Sequence, residues 1–264
     1  MVNFVYSTLW RLCILFIEIV QVFHRLLIHI KYIYRKSYDL LTGKSFNEVK
    51  YLEGCRKEWQ KVPKHLLVVI GKEETLSSKV LSNLAVYALL SNIECISFYD
   101  TRRTSRFEPA KHIPKFIESR QLRSGLFLWT MVGEKNGCLK YKNGMDRSIE
   151  VSVLTENDSK PLIAEVCNEL SESRDTPAVQ EALKDPTKAK LTELMDNAIR
   201  KKLHNLPYPE LVVIFNNYLC TFGALPWSTS FSEFHNIRKG NYTTVQDYTD
   251  VMYRYARCQQ RFGK

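Results

Sequence analysis

Two short stretches limit the fold more than anything else in the chain. His65–Ile70 (HLLVVI) and Leu211–Phe215 (LVVIF) are apolar at nearly every position rather than at alternate ones. A strand with one wet face alternates. A strand covered on both faces does not, and such strands belong to parallel sheets held between helices. Gly71 closes the first run, and Pro207 and Pro209 set off the second.

Between these runs the pattern alternates. Residues 77–91 carry Val80, Leu81, Leu84, Val86, Leu89 and Leu90 at helical spacing, and residues 93–99 read as a strand that stops at Asp100. The periodicity predicts helices over 110–121, 160–170 and 188–203, a strand over Ser148–Leu154, and a last helix over 245–260 capped by Thr244 or Thr243. Residues 126–147 are ambiguous: Leu126–Val132 reads as a strand or a buried turn of helix, and Asn136-Gly137 and Asn143-Gly144 as turns. Residues 171–190, polar and holding two prolines, read as a surface linker. The expectation is an α/β domain with a mainly parallel sheet flanked by helices, whose ligands sit at the carboxyl ends of the strands.

The amino-terminal segment is different in kind. Residues 2–23 are mostly apolar but interrupted by Arg11 and Glu18. On a helix, Asn3, Ser7, Arg11, Glu18, Gln21, Arg25, His29 and Lys36 share one face within roughly 80°. That pattern fits an amphipathic helix lying in a membrane interface, or a tilted span whose polar stripe meets a partner. No Lys or Arg precedes Arg11, whereas Arg25, Lys31, Arg35 and Lys36 follow the apolar run. If the helix spans, the positive-inside rule puts the large domain in the cytosol. Residues 1–36 are therefore read as a membrane-anchoring helix, 37–62 as a connecting segment, and 63–264 as the globular domain.

Charge and cysteines narrow the function classes. The net charge is +10, yet residues 1–36 hold five Lys/Arg against Glu18 and residues 234–264 hold six against Asp247 and Asp250, leaving the middle nearly neutral. Two basic ends do not make a nucleic-acid grip, and no nucleic-acid motif with usable spacing occurs. Cys13, Cys55, Cys95, Cys138, Cys167, Cys220 and Cys258 are scattered, odd in number and without a CxxC pair. They read as reduced thiols in a reducing compartment. The sequons at Asn157 and Asn241 are then expected to stay unmodified.

Several segments carry a resemblance. Thr221-Phe222-Gly223-Ala224-Leu225-Pro226-Trp227, Phe231-Ser232-Glu233, Asp247-Tyr248 and the terminal Arg257-Cys258-Gln259-Gln260-Arg261-Phe262-Gly263-Lys264 closely resemble the Nogo-B receptor family. Its members are the accessory subunits of eukaryotic dehydrodolichyl diphosphate synthase. The first strand with Tyr99-Asp100 resembles the same family and, through it, the wider cis-prenyltransferases. The resemblance covers residues 60–264 and is strong at 63–100 and 211–264. It implies a cis-prenyltransferase-like fold.

One departure matters most. In the catalytic members the first strand is followed by Asp-Gly-Asn-Arg, whose Asp helps hold Mg²⁺ on the allylic diphosphate. Here the Asp position falls on Gly71, which has no oxygen to offer a hard cation. The late strand likewise runs into Asn216-Asn217, without the arginines that grip diphosphate in those enzymes. The resemblance thus implies the non-catalytic subunit of a heterodimer or dimer of heterodimers, at the endoplasmic reticulum membrane with its large domain facing the cytosol. The complex would elongate farnesyl diphosphate with isopentenyl diphosphate for dolichol synthesis, with Mg²⁺ held mainly by the catalytic partner and no metal in this chain.

The tail Arg261-Phe262-Gly263 matches the Arg-x-Gly tail that, by the same resemblance, completes the partner's active site and shares in binding isopentenyl diphosphate. Glycine lets backbone N–H groups turn toward an anion, and arginine adds a rigid donor fork. Trp227 reads as a core or dimer-interface anchor, and Glu233 as an interface residue or a helix cap. His65 reads as a hydrogen-bonded core histidine. The cluster Arg102, Arg103 and Arg106 reads as a solvated loop or a phosphate- or membrane-facing one. The competing reading is a membrane receptor or lipid-binding module on a degenerate prenyltransferase fold.

Overall fold

The computed structural model describes residues 2–42, 47–72, 74–100, 107–119, 130–135, 138–142 and 147–259. The chain divides into two compact units, Met1–Glu48 and Val49–Lys264. The first is built on α1 (Val2–Thr42), longer than its apolar run. Its large apolar side chains stand exposed, Trp10 at 69% and Phe16 at 67%. Of the two membrane readings, the span finds no support: among the described residues no helix is long and apolar enough to cross a membrane.

The second unit opens with α2 (Glu48–Arg56), which the sequence hid in a connecting segment. Its Leu52 and Cys55, with Trp59 just beyond, enter the main core. The elements that follow are β1 (His65–Ile70), α3 (Ser78–Leu90), β2 (Cys95–Asp100), α4 (Pro109–Ser119), β3 (Thr130–Lys135), β4 (Cys138–Lys142) and β5 (Ser148–Leu154). Then come α5 (Lys160–Glu172), α6 (Pro177–Lys184), α7 (Ala189–Lys202), β6 (Leu211–Phe215), β7 (Glu233–Ile237) and α8 (Val245–Arg257).

Among the described residues seven strands form one sheet in the order β3-β4-β5-β2-β1-β6-β7. The five from β5 to β7 run parallel. β3 and β4 extend the sheet antiparallel and resolve the ambiguous stretch into a hairpin, while both turns expected there lie outside the described residues. The continuous apolar runs have the predicted cause. Leu66, Val68 and Ile70 face one core with α3, α4 and α8. Leu67 and Val69 face the other with α5 and α7. β1 sits between β2 and β6, where the strand order reverses, and in open α/β sheets ligands generally bind at the strands' carboxyl ends at such a point.

Two expectations need correcting. The polar segment 171–190 is not only linker. It contains α6, with Pro177 at its first turn and Val179 and Ala182 buried, lying against α7. The last helix stops at Arg257 rather than 260, after the Thr244 cap closes a reciprocal pair with Asp247.

Candidate functional site

The carboxyl edge of β1 is the position at which the resemblance implies an aspartate in catalytic members. Gly71 donates its N–H to the Phe215 carbonyl at 2.9 Å, which draws it against the end of β6. A Cβ placed there would lie 2.7 Å from Asn216 Cγ, 2.8 Å from Asn216 Cβ and 2.8 Å from the Phe215 oxygen. No side chain fits at that distance. Asn216 is fully buried, and its amide oxygen and nitrogen have no hydrogen-bond partner among the described residues. Such an orphaned amide costs on the order of 1–3 kcal/mol. The residues present do not fit Mg²⁺. Position 71 lacks a carboxylate and the space for one, and among the described residues no three His, Cys, Asp or Glu side chains gather to hold a metal.

The loop after β1 is pinned down. Asn241 accepts from the Ser77 N–H at 2.6 Å and donates to the Thr75 carbonyl at 2.9 Å. Glu74 crowds Gly240, whose φ of +49° favours glycine. The amide of the Asn241 sequon is thus engaged on both its oxygen and its nitrogen within the fold.

His65 lies at the other end of β1. Its Nδ1 is 2.6 Å from the Pro207 carbonyl, which can only accept, so Nδ1 carries the proton and Nε2 accepts from the Ser97 hydroxyl at 2.8 Å. Complete burial lowers its pKa to about 4, partly offset by the Pro207 bond. It is a neutral core histidine that ties β1 to β2, far from any proton-transfer task at the opposite edge.

Trp227 sits on the crossover 216–232 between β6 and β7. Its indole N–H donates to Asp196 on α7 at 3.2 Å, and Asp196 also holds Arg200 at 3.2 Å. Ser159 donates to the Gly223 carbonyl and Tyr99 to the Phe222 carbonyl, fixing a turn where Phe222, Gly223 and Leu225 all take positive φ. On the same crossover Tyr218, Leu219 and Phe231 are 48%, 60% and 67% exposed.

Glu233 begins β7, an edge strand opposite the start of β6. Its carboxylate accepts from the Cys258 thiol at 3.1 Å, just past the end of α8. The structure therefore places Glu233 beside the root of the carboxyl-terminal tail, a neighbourhood the sequence did not disclose. Tyr255 donates to Glu210 at 3.1 Å, and Glu210 also accepts from the Lys64 N–H at 2.8 Å. Lys61 stands over the Tyr255 ring at 4.6 Å. Arg261, Phe262 and Gly263 lie outside the described residues, as do Arg102, Arg103 and Arg106.

No family model matches the chain. It is 24% identical over 217 residues to the dehydrodolichyl diphosphate synthase complex subunit NUS1 of Homo sapiens, covering 78% of this chain and 68% of that protein. The corresponding subunit of Mus musculus is 23% identical, with 78% and 67% covered. Among solved structures, a probable undecaprenyl diphosphate synthase of Campylobacter jejuni superposes with a TM-score of 0.44 and 14% identity, over 77% of this chain and 100% of the other. Lavandulyl diphosphate synthase of Lavandula x intermedia superposes at 0.47 and 12%, over 76% and 98%. By sequence the chain is similar to these subunits of the dehydrodolichyl diphosphate synthase complex.

Proposed function

We propose that the chain is the accessory subunit of a heterodimeric cis-prenyltransferase that elongates farnesyl diphosphate with isopentenyl diphosphate on the way to dolichol. The observation that carries the non-catalytic part is the closed position at Gly71. The side chain that would ligate Mg²⁺ is absent, and Asn216 fills the volume it would need. In this reading Mg²⁺ sits in the catalytic partner, where it neutralises diphosphate charge, and this chain supplies three other things. Arg261, Phe262 and Gly263 complete the partner's site around isopentenyl diphosphate. The flank carrying β7 and the crossover, with Trp227, Glu233 and the exposed Tyr218, Leu219 and Phe231, forms the dimer face. The apolar side of α1 rests in the interface of the endoplasmic reticulum membrane, with its basic end among anionic headgroups.

The tail root lies at the opposite edge of the sheet from Gly71. Cys258 lies beside Glu233, which pairs with Leu211 at the amino end of the sheet. Gly71 and Asn216 lie at the carboxyl edge, about 16 Å away along a strand. The test is incorporation of labelled isopentenyl diphosphate into long polyprenyl product with Mg²⁺ and farnesyl diphosphate. This chain alone, the catalytic subunit alone and the co-purified pair are compared. Silence from this chain alone and strong turnover only from the pair is the expected result. Turnover by this chain alone refutes the reading.

A further inference from the structure

We infer that Asp196 is a positioning residue for the crossover between β6 and β7, and that the bond it accepts from the Trp227 indole holds the crossover in the shape the catalytic subunit binds. The inference rests on the proposed dimer face and adds the residue that sets its shape.

β6 and β7 are adjacent and parallel, and a parallel pair is normally joined through an α-helix. Here residues 216–232 make the connection without a helix or a strand. An irregular connection of that length inside a compact domain is uncommon and usually functional. It replaces the helix in packing as well. Ala224 and Leu225 enter the core that holds Leu67, Val69 and Ile199, with Phe222 and Trp227 packed against it.

The crossover's own backbone bonds are confined to turns, such as Ala224 to Thr221 and Ser228 to Leu225, each at 2.9 Å. Its shape is therefore set by side chains. Tyr99 and Ser159 donate to the Phe222 and Gly223 carbonyls near one end, and Ser232 donates to the Pro209 carbonyl at the other. Between them the Trp227 N–H donates to Asp196 at 3.2 Å. Of these four ties only that one ends on a charged acceptor, and such bonds are roughly twice as strong as neutral ones.

Asp196 is itself held in place. Arg200, one turn on along α7, pairs with it at 3.2 Å and lies over the Tyr208 ring at 4.5 Å. Pro207 and Pro209 flank Tyr208, and their carbonyls face His65 and Ser232. Asp196 thus joins α7, the strap before β6 and the crossover. On that crossover Tyr218 and Leu219 stand 48% and 60% exposed, with the Tyr218 ring 6.1 Å from that of Phe222. A surface already in its bound shape avoids the ordering cost that a loose loop meets on association. Releasing Trp227 keeps every apolar group of the face but unfixes them, so it weakens assembly without touching the chemistry.

The experiment titrates the full chain with its catalytic subunit and reads the dissociation constant, kcat at saturation, and hydrogen–deuterium exchange of residues 217–231. Asp196→Ala is expected to raise the dissociation constant about ten-fold, the worth of one bond to a charged acceptor. It should also raise exchange in the crossover while kcat at saturation holds. Asp196→Asn, which keeps an oxygen for the indole, should recover most of both losses. Trp227→Phe, which keeps a ring and loses the donor, should match Asp196→Ala in affinity and carries the test if that variant does not fold. Lys202 ties α7 to Glu165 and Glu169 away from the crossover, so Lys202→Ala should change nothing.

Wild-type affinity or wild-type exchange in both Asp196→Ala and Trp227→Phe overturns the inference. Equal weakening in Asp196→Ala and Asp196→Asn assigns the effect to the charge facing Arg200, and equal weakening in Lys202→Ala assigns it to general loosening of α7. Either result overturns it too. Full assembly of Leu219→Glu instead refutes the crossover as dimer face, a failure of the proposed function that is distinct from the others.

Discussion

At the scale of single residues, the end of β1 is closed by a packing contact. Gly71 and Asn216 form one unit. The glycine exists because Asn216 and the Phe215 carbonyl occupy the space around it, and backbone oxygen cannot rotate out of the way. Gly71→Asp therefore supplies a carboxylate without the space to hold it. It is expected to lower stability by about 1–3 kcal/mol as an overpacking change, seen as a lower denaturant midpoint. It should also leave the unfolding temperature of the isolated chain unmoved by added Mg²⁺. A Mg²⁺-dependent rise in that temperature would show that the cleft can still open.

His65 gives a pH signature at the same scale. Its folded pKa of about 4 lies below the ordinary 6.5 because the ring is buried. The unfolded chain therefore binds a proton that the folded chain refuses. The contribution to stability is complete above pH 6.5 and is lost as pH falls toward 4, by about 3 kcal/mol in all. His235 is shifted in the same direction by burial and adds to the slope. His65→Gln should flatten the loss of thermal stability between those pH values without abolishing it. A slope unchanged in His65→Gln would assign the titration elsewhere.

At the scale of elements, legibility followed burial. β1 and β6 were readable to the residue because both their faces are covered, so the apolar run and the strand coincide. β7 escaped notice for the opposite reason. Glu233-Phe234-His235-Asn236-Ile237 is an edge strand with only Ile237 fully buried, and an edge needs little apolar sequence. α6 escaped because two buried side chains, Val179 and Ala182, suffice to dock so short a helix. The closed position at Gly71 was half legible. The missing carboxylate shows in the sequence, but the buried Asn216 that fills its place comes from a strand end 145 positions later.

The helix α1 carries its own prediction. Arg11 and Glu18 divide its apolar run, and a charge at mid-bilayer costs roughly 2.5–3.5 kcal/mol on the insertion scale. A helix lying in the interface keeps both charges at the headgroups. Membranes bearing the full chain should therefore release it in alkaline carbonate, and replacing Leu15 and Phe16 with Glu should abolish its sedimentation with anionic vesicles. Retention through carbonate extraction would instead show a span.

At the scale of the whole molecule, the reading divides one active site between two chains, and the division can be measured. The catalytic partner would hold metal, allylic diphosphate and growing chain. This chain would contribute N–H donors and a guanidinium from Arg261 to Gly263, groups whose worth depends on orientation rather than number. An aligned donor of this sort contributes about 100- to 1,000-fold to turnover when it faces developing charge in a site shielded from water. In the proposed complex assembly rests on other surfaces, namely β7, the crossover and its exposed apolar side chains, none of which includes the tail. Gly263→Ala should therefore reduce kcat of the pair by about 100-fold. The complex should still elute at its wild-type mass and unfold at its wild-type temperature. If assembly and turnover fall together, the tail is part of the interface. If only KM for isopentenyl diphosphate rises, the tail binds the ground state and transition state alike, and its contribution is affinity rather than rate.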